Sequence, residues 1–423
     1  MELELAKGVK DLPPEEKILQ LKIVDTLRKV FELYGYSPLE TPVLERFDVL
    51  ASKYSGGAEI LKETFRLQDQ GGRELALRYD LTVPFSRFIA MNPTLKMPFK
   101  RYQIGSVWRG ERQQAGRYRE FMQADFDIVG SSSIAADAEI VAVYYTALRN
   151  IGLKNFVINY NNRLLLDDLP EFADFPKEKL WNALRIIDKT DKLGTEGVQK
   201  ELEKEFGSEV EKKITAFVFD GFGRKSALDT QSGRIYDQIC KTLDIFGCDY
   251  KKYLNFNLWL VRGLSYYTGS VFEVILSDAP ELGSIGGGGR YDELVAEFTG
   301  QPIPAVGASI GIDRLFAAQE KLGLIKKQAT TTKVLVFNLS ENCSSDYAQI
   351  VKQLRDANIN TSFYLGDDTS FQAQLSYAVK KEIPYVLIFG EEEKKKGVVA
   401  VKNLTTREQK EIRKEELIAF FMK

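Results

Sequence analysis

The chain contains no histidine. That absence removes the commonest general base and the commonest metal ligand together. Ser–His and Cys–His nucleophilic chemistry is excluded with it. Any catalysis must rest on arginine, carboxylates, tyrosine, lysine, or a metal held by carboxylates and phosphates. Cysteine is scarce: Cys240, Cys248 and Cys343 are widely spread and form neither a disulfide framework nor a zinc spacing. No apolar run approaches the roughly 20 residues that span a bilayer, and no charged start leads into an apolar stretch. A soluble, unexported, cytoplasmic protein without membrane association is expected. Excess charge of either sign is also missing, with 58 Lys plus Arg against 60 Asp plus Glu. A nucleic-acid partner would therefore need local basic patches rather than an overall basic field.

What is present is globular. Of 423 residues, 44% are hydrophobic and 28% charged, enough for two or three domains with real cores. The most informative stretch is Gly105 to Gly130. Its ends read as strands and its middle as a polar, basic loop. In the second strand Met122, Ala124, Phe126 and Ile128 alternate with Gln123, Asp125 and Asp127, so the three polar groups share one face. If the strands pair as a long antiparallel hairpin, Arg109 stands on that face with Gln123 and Asp127. The loop adds Glu111, Arg112, Arg117 and Arg119, which suits a polyanion. On pattern alone, a solvated hairpin face and a binding site are both open.

Ile18 to Tyr34 has helical spacing, and Tyr34–Glu45 is a Gly/Pro-punctuated extended segment. Thr64–Leu67 and Leu75–Tyr79 read as a hairpin. Asp80 then either caps the helix that Leu81-Thr82-Val83-Pro84 opens or belongs to a site. Ser131–Ile151 reads as a helix. Residues 163–253 are charged and helical in period, a separate insertion. Phe256–Val261 and Ser270–Leu276 read as strands, and Arg262 at the end of the first needs an anionic partner if buried. Gly286–Gly289 allow either a close backbone approach or a flexible turn, and no P-loop pattern is present. Gly307 and Gly311 would let the helix carrying Arg314 sit close to a sheet. Residues 326–332 fall in a linker, after which strands and helices alternate: strands at Lys333–Leu339, Thr361–Leu365, Tyr385–Phe389 and Val398–Val401, helices at Ser344–Ala357, Phe371–Lys381 and Lys410–Phe421. The run Glu391–Lys396 reads as a solvated turn.

These pieces resemble the class II aminoacyl-tRNA synthetases and, within them, the histidyl-tRNA synthetase family. YGYSPLETPVLE looks like motif 1, WRGERQQAGRYREFMQADFDIVG like motif 2 with its loop, and GIDRL like motif 3. LVRGLSYYTG and GGGGRYDEL are similar to two histidine-specific blocks. The final module resembles a class II anticodon-binding domain. Several motifs in the right order carry more weight than any one alone. The resemblance implies an α+β fold: residues 1–325 as an antiparallel six-stranded catalytic sheet flanked by helices and carrying the insertion, and 333–423 as an α/β anticodon-binding domain. It implies a homodimer through motif 1, with Pro42 at the interface. It implies L-histidine, ATP with Mg2+, and tRNA-His as substrates and partners, through a histidyl-adenylate.

By the same resemblance Arg109 would meet the α-phosphate and the substrate carboxylate, Glu111 the adenine amino group, and Arg314 the far phosphates, with Arg117 assisting. Arg262 would stabilise charge growing at the α-phosphate. Asp80, Leu81, Thr82, Arg109, Gln123, Asp127, Arg262, Tyr266, Tyr267 and Tyr291 would form the histidine pocket. Asp125 gains no role and is read as structural. Ser265 stands where the family usually has Asp, which removes a carboxylate beside Arg262. A second reading is a regulatory paralogue, of the ATP phosphoribosyltransferase regulatory-subunit type in histidine biosynthesis. That type lacks the anticodon-binding module and tends to lose catalytic positions, both of which this chain has. The missing histidines suggest a hypothesis: a synthetase made without histidine stays translatable when charged tRNA-His is scarce. Compositional drift is the competing account.

Overall fold

The computed structural model describes residues 3–422, apart from 53–57, 112–117, 220–230, 262–265 and 326–327. The chain divides into two compact units, one of residues 1–10 with 22–325 and one of residues 11–21 with 326–423.

The larger unit is organised on an eight-stranded sheet. Its strands are β1 (Ser37–Pro38), β5 (Phe99–Trp108), β6 (Glu120–Val129), β7 (Phe156–Asn162), β8 (Leu254–Phe256), β9 (Ser270–Leu276), β10 (Ser284–Arg290) and β11 (Ala305–Gly311), in the order β1-β5-β6-β11-β10-β9-β7-β8. The inner six pair antiparallel, as the family resemblance implies. The two outer strands are additions, each pairing parallel with its neighbour. They are only two and three residues long, too short for an alternating pattern. Pro38 cannot donate to a ladder and so suits an edge. The predicted strand Phe256–Val261 ends at its first residue. The Asn257 side chain accepts from the Trp259 amide at 3.1 Å, and the Leu260 amide turns back to the Asn257 carbonyl at 3.2 Å, so an Asn-led turn stops the strand.

One face of this sheet is apolar. The helix Pro14–Leu33 begins with a proline and two glutamates, favourable at a helix N-terminus. It buries Ile23, Leu27, Val30 and Phe31, with the Phe31 ring 5.1 Å from Phe126 of β6. Helix Ile134–Asn150 is capped by Ser133 and buries Tyr144, whose ring meets Phe126 edge-on at 5.3 Å. The core lies between these helices and the sheet. A smaller three-stranded sheet, β2 (Leu44–Arg46), β4 (Glu74–Leu77) and β3 (Arg66–Gln68), contains the expected hairpin. Asp69 closes its turn by accepting from the Gly71 and Arg73 amides. The described residues of 163–253 are mainly helical, including Leu180–Ile187, Thr190–Phe206, Ser208–Val218 and Gln231–Ile245.

The smaller unit has a five-stranded sheet in the order β13-β12-β14-β15-β16, with strands at Val334–Val336 (β12), Thr361–Phe363 (β13), Tyr385–Ile388 (β14), Val398–Asn403 (β15) and Gln409–Arg413 (β16). Here the expected helix Lys410–Phe421 is corrected. Asn403 accepts from the Thr405 and Thr406 amides and sets a turn, so Gln409–Arg413 returns as a strand antiparallel to β15. Only Leu417–Met422 is α-helical. Glu391–Lys396 is a short exposed helix rather than a turn. Glu393 caps the Gly390 amide at 2.8 Å, with glutamates at its start and lysines at its end.

Candidate active site

The hairpin register builds the site. Opposite Gln123, Asp125 and Asp127 on β6 stand Gly105, Gln103 and Arg101 on β5. Arg101 and Asp127 are therefore direct cross-strand neighbours, and Arg101 Nη2 lies 2.8 Å from Asp127 Oδ2 with both side chains buried. The guanidinium also donates to the Leu81 carbonyl at 3.2 Å and lies 4.2 Å over the Phe85 ring. Sequence reading missed Arg101, although the signal was there. Stepping the Gln103–Gly105 alternation back by one places it on the polar face, and a buried arginine needs an anion.

On the other flank β11 places Gly307, Ser309 and Gly311 against Asp127, Asp125 and Gln123. A Cβ at Gly307 would sit on the Asp127 carboxylate. Gly307 thus makes room for that carboxylate, and the expectation that it seats a helix is corrected. Tyr291 donates its hydroxyl to Asp127 Oδ1 at 2.5 Å. Burial, with Asp127 alongside, pushes the Tyr291 hydroxyl well above the ordinary tyrosine range, so it stays a donor. Asp127 is held between a cation and a hydroxyl at the floor of the site.

Over this floor is a cavity of about 440 Å³. Asp80, Thr82, Arg109, Glu111, Gln123 and Asp127 line it, and so do Tyr266, Tyr267, Tyr291 and Arg314. Asp80 binds the amides at the helix start and also faces the cavity. Its Oδ1 accepts from the Thr82 and Val83 amides at 3.1 and 2.9 Å while the side chain lines the cavity. Leu81 is different: its side chain is fully buried, and what it contributes is the carbonyl that receives Arg101. Arg117, Arg262 and Ser265 lie outside the described residues.

Arg109 follows β5 directly. Its Nε donates to the Tyr79 carbonyl at 3.2 Å, and its guanidinium lies 4.5 Å over the Tyr79 ring and 5.1 Å from the Phe121 ring. Glu111 Oε1 is 3.9 Å from its Nη1. The aromatic rings hold the fork flat without neutralising it. Arg314, early in helix Ile312–Lys321, donates to the Ser284 carbonyl, while Asp313 accepts from the Met122 amide at 2.8 Å and ties that helix to β6. The Tyr266 and Tyr267 rings are 4.3 Å apart, and burial pushes the Tyr267 hydroxyl well up.

The glycine run is a strand, not a turn. Gly286–Gly289 lie in the middle of β10. A Cβ at Gly286 would fall 2.8 Å from the Ser309 carbonyl, and one at Gly289 would fall 2.6 Å from the Ser270 carbonyl and 2.7 Å from the Tyr267 ring. The run is needed for close approach of neighbouring strands and a tyrosine. At Gly287 a Cβ would make one ordinary contact among the described residues, with the Phe272 carbonyl at 3.4 Å.

Gly287 is the gap in a longer pattern. The pairing aligns Gln103, Asp125, Ser309, Gly287, Glu273, Asn159 and Asn255 in one row across β5, β6, β11, β10, β9, β7 and β8. Every side chain in the row is polar. Asp125 and Glu273, neither predicted as a site residue, both line the cavity. Glu273 also borders a second cavity of about 300 Å³, which Asn159, Asn255 and Trp259 help to line. Burial is the main cause that raises the Asp125 carboxyl to about 7; Arg101 and a Ser309 hydrogen bond oppose it, and Asp127 and Asp80 add to it. Arginines and carboxylates thus line one water-accessible space, which suits a ligand carrying both an anionic part and N–H donors.

Comparison with known proteins gives a consistent result. A family model described as histidyl-tRNA synthetase matches residues 8–315, and one described as an anticodon binding domain matches residues 333–423. The histidine–tRNA ligase of Wolinella succinogenes is 41% identical to this chain, over 95% of the chain and 94% of the relative. Histidine–tRNA ligase 1 of Bacillus cereus is 39% identical over 96% of each. The crystal structure of histidyl-tRNA synthetase from Nostoc superposes with a TM-score of 0.88 at 31% identity, covering 100% of this chain and 99% of that one.

Proposed function

The chain belongs to the histidyl-tRNA synthetase family, and from that premise we propose that it ligates L-histidine to tRNA-His in two steps. In the first, a carboxylate oxygen of histidine attacks the α-phosphorus of ATP; a new P–O bond forms as the bond to pyrophosphate breaks, giving histidyl-adenylate. In the second, a hydroxyl of the terminal adenosine of tRNA attacks the carbonyl carbon and AMP leaves. Neither step requires an imidazole. Positioning and charge stabilisation dominate such displacements, which suits a site built from arginines.

The observation that carries this reading is the buried Arg101–Asp127–Tyr291 chain at the floor of a cavity that Arg109 and Arg314 also line. In our reading Asp127, Asp80, Thr82, Gln123 and the tyrosines Tyr266, Tyr267 and Tyr291 take the ammonium and ring N–H groups of histidine. Arg109 meets the histidine carboxylate and α-phosphate, held flat by Tyr79 and Phe121. Glu111 takes the adenine amino group and Arg314 the far phosphates. Arg117 and Arg262 are assigned by family resemblance, at the loop and at the α-phosphate. Mg2+ would come to the site as part of the ATP substrate. Asp313 and Glu273, carboxylates that line the cavity, are hard oxygen donors that would help hold that ion, and it would supply charge neutralisation. Residues 333–423 bind the anticodon region of tRNA. Pro42, Val43 and Leu44 are exposed and supply a face for a homodimer, whose measure is a molar mass of two chains in light scattering.

The test is histidine-dependent exchange of labelled pyrophosphate into ATP by the full-length protein. Exchange with histidine and not with other amino acids is expected. Folded protein without exchange overturns the enzyme reading and leaves the regulatory-subunit one.

A further inference from the structure

Asp127 and Asp125 are two residues apart on one strand face and both nearly inaccessible, at 2% and 3% exposure. Their surroundings differ. Asp127 is engaged from two sides, by Arg101 at one oxygen and Tyr291 at the other. Among the described residues Asp125 is held at one side, by the Ser309 hydroxyl, which also receives the Gln123 amide at 2.8 Å. Its Oδ1 is buried and has no hydrogen-bond partner among the described residues. Leaving a carboxylate oxygen dry and unmatched is costly, and Asp125 is a cavity-lining residue, so a ligand donor that reaches this oxygen would relieve the cost. Beyond Ser309 in the row comes Gly287, which also lines the cavity and brings no side chain to it.

We propose that Asp125 is a further substrate-contacting and specificity-determining residue: its Oδ1 accepts a hydrogen bond from an N–H group of the bound histidine. This rests on the function proposed above. The charged and titratable groups around it are Arg101 on β5, Asp127 on its own strand, Asp80 ahead of helix Thr82–Met91, Arg78 after β4, Tyr144 from helix Ile134–Asn150 and Tyr291 after β10, with Glu273 across the Gly287 gap. Ionised, Asp125 matches a donor; protonated, it offers a competing O–H. Its carboxyl titrates close to neutrality, so binding of the donor favours the ionised form and pulls the titration to lower pH. The chain has no histidine, so no enzyme imidazole enters the pH profile. The substrate's own imidazole does, but identically for wild type and variant.

The experiment compares wild-type protein with Asp125→Asn, an isosteric change that removes the charge, and with Asp125→Ala in case the amide turns its NH2 into the cavity. Pyrophosphate exchange is measured from about pH 6 to pH 8.5, a range that spans carboxyl titration near neutrality. At the alkaline end kcat/KM for histidine should fall about 10- to 100-fold in both variants, the size of a charge-assisted hydrogen bond. The loss should lie mainly in the histidine KM, with the ATP KM unchanged, and the difference between wild type and variant should shrink as pH falls below 7. Two competitors locate the donor, one histidine analogue without the α-amino group and one methylated on the ring nitrogens. The analogue missing the contacted N–H should bind wild type and Asp125→Asn equally. Variants within twofold of wild type at all pH, or an equal rise in the ATP KM, would overturn the proposal. Wild-type protein without histidine-dependent exchange would overturn the function beneath it instead.

Discussion

The two sheets of this protein bury their faces in opposite ways. The five-stranded sheet is covered on both sides by apolar side chains, Val334, Leu387, Val399 and their neighbours on one face and Leu335, Phe337 and Val386 on the other. Among the described residues of its unit beyond residue 325, Gln374 is the buried polar side chain, and it is fully matched by backbone groups of Asn338 and Thr369. The eight-stranded sheet buries Arg101, Gln103, Asp125, Asp127, Asn159 and Glu273 on one side of its strands. Burying charge is expensive and a pair of hydrophobic residues often serves stability as well. Charges kept inside a sheet fit the proposal that they serve a ligand, whereas the other sheet has an apolar core on both faces.

Substitutions on the two sheets should separate these roles. The largest effect is expected from Arg101→Met. It leaves Asp127 buried without its cation, at about 3–5 kcal/mol of stability, and thermal unfolding together with lost exchange activity would show it. Arg109→Ala comes next. It should lower pyrophosphate exchange about 100- to 1,000-fold while leaving the unfolding temperature nearly unchanged, since the side chain is partly exposed and rests on rings. Leu387→Ala in the smaller sheet should cost about 3 kcal/mol through the cavity it leaves, yet spare exchange measured below the unfolding transition. An equal loss of exchange from Leu387→Ala and Arg109→Ala would break the comparison.

Asp125→Asn should have a smaller effect of opposite sign on stability. The folded carboxyl titrates at about 7, against about 4 for an unfolded one. An acid raised in the folded state is neutral in both states at low pH. Between about pH 4 and 7 the folded state holds the extra proton, so stability falls as pH rises through that window and stays reduced above it. Removing the charge should therefore stabilise the ligand-free protein at pH 8. We expect roughly 1–2 kcal/mol, a fraction of the about 4 kcal/mol that three pKa units represent. Denaturant unfolding of both forms at pH 5 and pH 8 would measure it, and a variant less stable at pH 8 would contradict the reading. The smallest effect concerns what both units share, the absence of histidine. Under histidine starvation the protein's level should decline less than that of a variant given several surface histidines. Equal decline would favour compositional drift.

How much of this was legible in the sequence depends on range. The β5–β6 hairpin was readable because its alternation is local and strict: Gln123, Asp125 and Asp127 declare a polar face without any partner strand. The five-stranded module was readable for the same reason, except for β16, where Gln409–Arg413 alternates too weakly to stand against a helical reading. The role proposed for Asp125 was hidden because its strand neighbour is Ser309, far along the chain, with Gly287 one strand further. Only the register of β10 and β11 brings them to it. The Arg101–Asp127 pair and the relief at Gly307 are likewise cross-strand facts. Glycines in β10 announced close packing but not what would come close. Arg117 and Arg262 rest on motif resemblance throughout.

The claim at the centre is that the polar face of the larger sheet recognises histidine through its N–H groups. Calorimetric titration of the full-length protein with L-histidine and with L-phenylalanine tests it most directly. A site built to hydrogen-bond a ring N–H should favour histidine by about 10,000-fold or more, because phenylalanine leaves buried acceptors unmatched. Phenylalanine binding within tenfold of histidine would contradict the account.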